Sequence, residues 1–170
     1  EFECGGPENM AIDETLLHSA SEEGVTTLRF YGWKPATLTL GYFQNAKQRL
    51  EHAASASCPC IRRASGGGAI LHDRELTYCF ATPAGQRFGS DHLYHVFHQT
   101  LVDILSENGA SVSLHPASQG TSKDSFLCFQ RRATNDVVLD EHKIAGSAQR
   151  RWKKGLVQHG SILLEKSPFA

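Results

Sequence analysis

A mixed α/β domain built on a largely antiparallel sheet is the fold class this chain predicts, and three observations carry it. Two stretches, 9–23 and 91–108, repeat apolar residues at roughly helical spacing. Short β-rich segments bounded by turn residues fill the rest of the chain. The last three of these, Val137 to Leu139, Lys143 to Ala148 and Gly155 to Leu164, read as consecutive antiparallel strands. With 170 residues, 40% of them hydrophobic and 21% charged, the chain has a globular composition and can bury one core without covalent staples.

In order, Asn9 to Glu23 is expected to be a helix that buries Met10, Ile12, Leu16 and Leu17 and leaves Asp13, Glu14 and Glu22 in water, with Gly24 ending it. Thr26 to Tyr31 and Ala36 to Phe43 are expected strands, joined by a turn at Trp33-Lys34-Pro35. A short amphipathic helix follows at Ala46 to Ala54. Cys60 to Arg63 and Ala69 to Leu71 are strand-like, with Ser65-Gly66-Gly67-Gly68 between them, and Leu76 to Thr82 is another strand. Asp91 to Asn108 is the longest helical pattern, with Leu93, Val96, Phe97, Leu101, Ile104 and Leu105 on one face and Asn108-Gly109 closing it. A strand at Val112 to Leu114 and a polar loop at Ala117 to Asp124 precede the final three strands. One main sheet with helices packed on it is the architecture expected of a single domain over residues 1–170. The end at Ser167-Pro168-Phe169-Ala170 lacks a closing helix signal and leaves a further C-terminal segment open.

Charge and composition exclude several function classes. A net charge of −1, from 17 basic and 18 acidic residues, argues against a nucleic-acid binder. No apolar run approaches the ~20 residues of a membrane span, so no membrane partner is expected. The first residues carry no signal-peptide pattern. Five cysteines at irregular spacing do not form a disulfide framework, which points to a reducing cytoplasm. Cys58-Pro59-Cys60 lacks the spacer of zinc or redox pairs and reads as structural. His92, His95 and His98 step along one helix with no carboxylate or cysteine to complete a metal set, so they are expected at the surface and no metal is expected.

Three stretches could carry chemistry. In Arg62-Arg63-Ala64-Ser65-Gly66-Gly67-Gly68-Ala69-Ile70-Leu71-His72-Asp73, successive glycines let a ligand approach main-chain amides closely. Amides beside an arginine suit a phosphate, a carboxylate or an acyl carbonyl. A glycine triplet alone is more often a tight hairpin, and this one is neither a phosphate loop nor a dinucleotide fingerprint. Lys143, in Lys143-Ile144-Ala145-Gly146-Ser147-Ala148, would by itself be a solvated lysine entering a strand. Cys128, between Leu127 and Phe129, would by itself be an inert core cysteine. The basic cluster Arg150, Arg151, Lys153 and Lys154 reads as a solvated turn that could also steer an acidic protein partner.

Taken together, the ordered motifs resemble the biotin/lipoate protein ligase superfamily over nearly the whole chain. Pro7 to Glu14 looks like its first helix. Arg29 to Trp33 and Pro35 to Gln44 are similar to its next strands, Arg62 to Asp73 to its acyl-site loop, and Lys143 to Ala148 with Gln158 to Leu164 to its later strands. The resemblance implies a biotin/lipoate protein ligase-like catalytic domain. It also implies that Arg63, Ser65, Gly66, Gly67, Gly68, Ala69, Ile70, Leu71, His72, Gly146 and Ala148 bind the acyl group or a nucleotide.

Two branches of the superfamily fit. The octanoyltransferase branch passes an acyl group through a cysteine thioester, and Cys128, fifteen residues before Lys143, resembles its nucleophile. An ammonium nearby favours the charged sulfur and can later help deprotonate an incoming amine, while amides of Gly67, Gly68 and Ala148 could hold an oxyanion. That branch implies octanoyl or lipoyl transfer from acyl carrier protein to a lysine of a lipoyl domain or glycine-cleavage H protein, with no cofactor. The ligase branch implies ATP and Mg²⁺ and an acyl-adenylate. Gly68, where the transferases often have arginine, and Thr134-Asn135-Asp136 look like that branch. A carrier-binding module without catalysis is the third alternative.

Overall fold

The computed structural model describes residues 3–84, 90–116 and 125–169, so the polar loop expected at 117–124 lies outside the described residues. The elements run β1 (Glu3–Cys4), α1 (Gly6–Glu22), β2 (Thr27–Trp33), β3 (Thr37–Leu40), β4 (Cys60–Arg62), β5 (Ile70–His72), β6 (Glu75–Pro83), α2 (Ser90–Glu107), β7 (Val112–Leu114), β8 (Val137–Leu139), β9 (His142–Arg151) and β10 (Gly155–Leu163). Seven strands form one sheet in the order β1-β2-β6-β10-β9-β8-β7, and every pair in it is antiparallel except β1 with β2. The mixed, largely antiparallel sheet with packed helices is therefore observed. A separate three-stranded sheet, β4-β3-β5, stands beside the main one.

Side chains alternate across β6, and each helix covers one face. Cys79 and Ala81 meet Leu17 and Ala20 of α1, with Tyr31, Trp33 and Val157 completing that core. Each side chain of leucine size removed from water there contributes about 1.5–3 kcal/mol. Tyr78 and Phe80 point the other way and pack on Phe97 of α2, at 4.9 and 5.1 Å between ring centroids. The small sheet buries Leu38, Leu40, Cys58, Ala69, Leu71 and Leu127 as a second core.

Several expectations need correction. The helix α1 starts at Gly6 because Pro7, whose ring presets a helical φ, sits in its first turn. Its buried stripe is Asn9, Asp13, Leu17, Ala20 and Ser21, so Asp13 is not in water, and Ile12 is only half-buried. The stretch 46–54 forms two 3-10 turns, Ala46–Glu51 and Ala53–Ser55, and Leu50 is exposed. On α2, Val96 and Ile104 face outward, because the helix lies over β7, β8 and β9 with Leu93 beneath it. No described helix is long and apolar enough to cross a membrane.

Candidate active site

The segment carrying Cys128 is tied to the glycine loop by its backbone. Ala69 N–H donates to Phe126 at 3.0 Å and Cys128 N–H donates to Ala69 at 2.7 Å, so residues 126–128 run beside the end of the loop as a single parallel bridge. A 3-10 turn, Cys128–Gln130, then carries the chain away. Cys128 is half-buried, not sealed in the core.

Lys143 enters from β9 and is buried, where a solvated lysine would have been the ordinary expectation. Its Nζ lies 2.8 Å from Asp136 Oδ2 and 3.8 Å from Cys128 Sγ, with the Phe129 ring centroid 5.5 Å away. Burying an ammonium is costly without a partner, and the equally buried Asp136 supplies one. That carboxylate is itself held, because Oδ2 also accepts from Ala133 N–H at 2.7 Å. Cysteine, ammonium and carboxylate thus come from three segments onto one spot. Asp136 is the member that the sequence alone did not single out as a site residue.

The glycine loop is braced from below. Arg63 is buried and donates to the Gly66 and Gly68 carbonyls at 2.6 and 2.7 Å, and to Thr39 Oγ1 at 3.1 Å. The arginine beside the loop is therefore committed mainly to the protein. Its Nε is the exception, a buried donor without a partner among the described residues. Burial pulls the guanidinium below its ordinary range, and it remains charged at neutral pH. A β-carbon on Gly41 would fall 2.0 Å from the Gly67 carbonyl oxygen, so the loop lies in backbone contact with the end of β3, and Gly67 itself has φ 94°.

Ser65, His159 and Asp13 form a buried line. The Ser65 hydroxyl bonds His159 Nε2, and His159 Nδ1 lies 3.2 Å from Asp13 Oδ2. A carboxylate only accepts, so Nδ1 carries a proton, and with the ring neutral Ser65 donates to Nε2. Asp13 also accepts from Arg29 at 3.1 Å and from the Tyr31 hydroxyl at 2.7 Å; burial first, and then this carboxylate, hold that hydroxyl well above the usual tyrosine range. Ser65 is 1% exposed, so this line anchors the loop to α1. His72 stacks on Trp33 at 3.8 Å between ring centroids and joins Thr39 to Glu75. Burial lowers its titration, with Glu75 opposing.

A cleft of about 500 Å³, open mouth included, brings part of this set together. Cys128, Lys143, Arg63, Gly67, Ile70, His72, Gly146 and Ala148 line it, against mainly apolar walls from Met10, Trp33 and Phe129. Ser65, Gly66 and Gly68 are not among the residues that line it; the Gly66 and Gly68 carbonyls are held by Arg63, and Ser65 by His159. Ala69 and Leu71 face a broader cleft of about 1640 Å³, open solvent included, on the far side of Phe129 and Lys143.

His98 is not at the surface. It is 2% exposed, with Nδ1 2.5 Å from the Asn135 carbonyl and Nε2 2.6 Å from Ser147 Oγ, and burial lowers its titration despite Asp136 nearby. His92 and His95 are exposed, as expected. The sequence signal for His98 was its place among the leucines and phenylalanines of α2. His159 gave a similar one in the middle of an apolar strand.

Residues 6–168 match the family model described as the lipoyl protein ligase A/B catalytic domain. The octanoyltransferase LipM of Brevibacillus brevis is 37% identical over 92% of this chain and 61% of that protein, and the LipM of Bacillus subtilis is 35% identical over the same shares. The chain thus spans about three fifths of the length of these relatives. Among solved structures, lipoate-protein ligase A bound with ATP superposes with a TM-score of 0.76 at 22% identity, over 98% of this chain and 66% of that one. A bi-partite lipoate protein ligase from Thermoplasma acidophilum gives 0.74 at 22%, over 98% and 60%. These two likenesses concern the fold. On the extent of the family match and the identity to its curated members, this chain belongs to the lipoyl protein ligase A/B catalytic domain family.

Proposed function

We propose that the chain is the catalytic part of an octanoyltransferase of protein lipoylation, carrying its acyl group as a thioester on Cys128. One observation carries the reading: the Lys143 ammonium lies between the Asp136 carboxylate and the Cys128 sulfur on the wall of an apolar cleft. The two LipM octanoyltransferases, 37% and 35% identical, support it.

In the first half-reaction the Cys128 thiolate attacks the carbonyl carbon of an octanoyl thioester on acyl carrier protein. The bond from that carbon to Cys128 forms, the bond to the donor sulfur breaks, and the donor thiolate takes a proton that the Lys143 ammonium can give. In the second, a neutral lysine amine of a lipoyl domain or glycine-cleavage H protein attacks the Cys128 thioester. Its nitrogen passes a proton to the neutral Lys143 amine, the amide forms, and Cys128 leaves as thiolate. Amides of Gly67, Gly68 and Ala148 are the donors this reading assigns to the oxyanion. Loss of one such donor typically costs ~10²–10³ in rate. The donor thioester is already activated, so the reading calls for no nucleotide or metal. Five cysteines without a disulfide fit a cytoplasmic setting.

Incubation of the purified protein with octanoyl-acyl carrier protein and a lipoyl domain tests the reading. Octanoylated lipoyl domain is expected without ATP, and none from Cys128→Ala. Activity that requires ATP and free acid and survives Cys128→Ala would instead establish an adenylate-forming ligase.

A further inference from the structure

We propose that His98 is a positioning residue for the Cys128–Lys143 pair, acting through the peptide that joins Asn135 to Asp136; this rests on the role given to that pair above. Both sides of this peptide are clamped. Its carbonyl accepts from His98 Nδ1 at 2.5 Å, and its N–H donates to the Ala133 carbonyl at 3.1 Å. The next side chain along is the Asp136 carboxylate, 2.8 Å from the Lys143 ammonium. Asn135 has φ 70°, a conformation that a non-glycine residue adopts at a cost and that its surroundings must hold. His98 reaches it from α2, and Asn135 N–H donates to the His115 carbonyl at 3.0 Å on the other side.

The direction of every proton in the supporting network follows from the partners. A carbonyl only accepts, so His98 Nδ1 bears the hydrogen and Nε2 of the neutral ring accepts from the Ser147 hydroxyl. Ser147 has then spent its hydrogen, so the Tyr78 hydroxyl donates to it at 2.6 Å. The Tyr78 oxygen in turn accepts from Gln158 Nε2 at 2.8 Å, and Gln158 Oε1 accepts from Gln149 Nε2 at 2.7 Å. This one-way chain across β9, β10 and β6 fixes the His98 ring and its tautomer, and so delivers one directed N–H to the Asn135 carbonyl. The device holds the carboxylate, the carboxylate holds the ammonium, and the ammonium stands by the sulfur.

The two nitrogens of His98 can be separated by substitution. His98→Asn keeps a donor near the place of Nδ1, toward Asn135, and gives up the acceptor for Ser147. His98→Gln keeps a group near the place of Nε2, for Ser147, and gives up the donor to Asn135. The probe is iodoacetamide, with alkylation of the Cys128 peptide followed by mass spectrometry at one pH in folded protein. It reads the sulfur's environment without any acyl transfer, because the thiolate is the reactive form and a nearby cation favours it. Lys143→Met is the reference for a lost ammonium and should react severalfold more slowly than wild type. His98→Gln is expected to slow toward that reference and His98→Asn to stay close to wild type, with octanoyl-transfer kcat following the same order and KM for the donor unchanged. Equal rates in the two His98 variants, with Lys143→Met slow, would overturn the role of His98 alone. A wild-type rate in Lys143→Met would overturn the pair itself, and His98 with it.

Discussion

Gly146 faces the Lys143 side chain so closely that a β-carbon there would lie 2.5 Å from Lys143 Cε and 2.7 Å from Nζ. The glycine on β9 is the space in which the ammonium sits. The obstructed atoms are the far end of a flexible side chain, so Gly146→Ala should fold and move the ammonium off the sulfur. Octanoyl-transfer kcat is expected to fall on the order of 10²-fold, the scale of an ångström-sized misplacement, and the melting temperature to fall with it, because the same methyl presses on the buried Lys143–Asp136 pair. Steady-state kinetics and a thermal melt on the same preparation check it.

Asp136→Asn should act on stability as well as rate. Lys143 is buried, and the variant takes away the carboxylate that its ammonium contacts at 2.8 Å. Removing one partner of a buried pair costs about 3–5 kcal/mol in general, and denaturant titration should find a loss approaching that scale. A loss no greater than that of an exposed pair such as Lys34 with Glu3 would contradict this account of the site.

How much of this was legible before the structure divides along physical lines. The helices and the last three strands could be read because their side chains repeat at fixed short periods. The glycine loop could be read because three glycines in a row mark a backbone that turns tightly or is closely approached. Asp13 could not: on α1 it looks like a solvent-facing acid, and the partners that bury it, Arg29, Tyr31 and His159, come from β2 and β10. His98 failed in the same way, since Asn135 and Ser147 are 37 and 49 residues away along the chain. The bridge between Ala69 and Leu127, which sets Cys128 beside the loop, is also non-local and leaves no periodic trace.

Ser65 presents the look of a nucleophile, with histidine and aspartate behind it, but it is buried and does not line the cleft. Ser65→Ala should therefore lose stability by about 1–3 kcal/mol, as His159 Nε2 is left without its donor. Acyl-adduct formation on Cys128 should persist. A chemical-denaturation curve and an adduct measurement on the variant separate the anchor from a catalytic serine.

Two buried histidines give a pH dependence with a definite sign. Burial lowers both His72 and His98 from their ordinary value of 6.5; Glu75 opposes this at His72, where Arg63 and His159 act with burial, and the Asn135 carbonyl and then Asp136 oppose it at His98, where Lys143 acts with burial. Below pH 6.5 the unfolded chain takes up protons that the folded one refuses, so folding stability should fall as pH drops from 6.5 toward the lowered folded values. Melting curves between neutral and mildly acid pH should show the decline, and His98→Asn should flatten part of it.

The most direct test of the thioester route is the mass of the protein after brief exposure to octanoyl-acyl carrier protein with no acceptor present. The account predicts a gain of one octanoyl group, mapped by peptide analysis to Cys128 and discharged when a lipoyl domain is added. An unchanged mass, or an adduct on another residue with Cys128 unmodified, would contradict it.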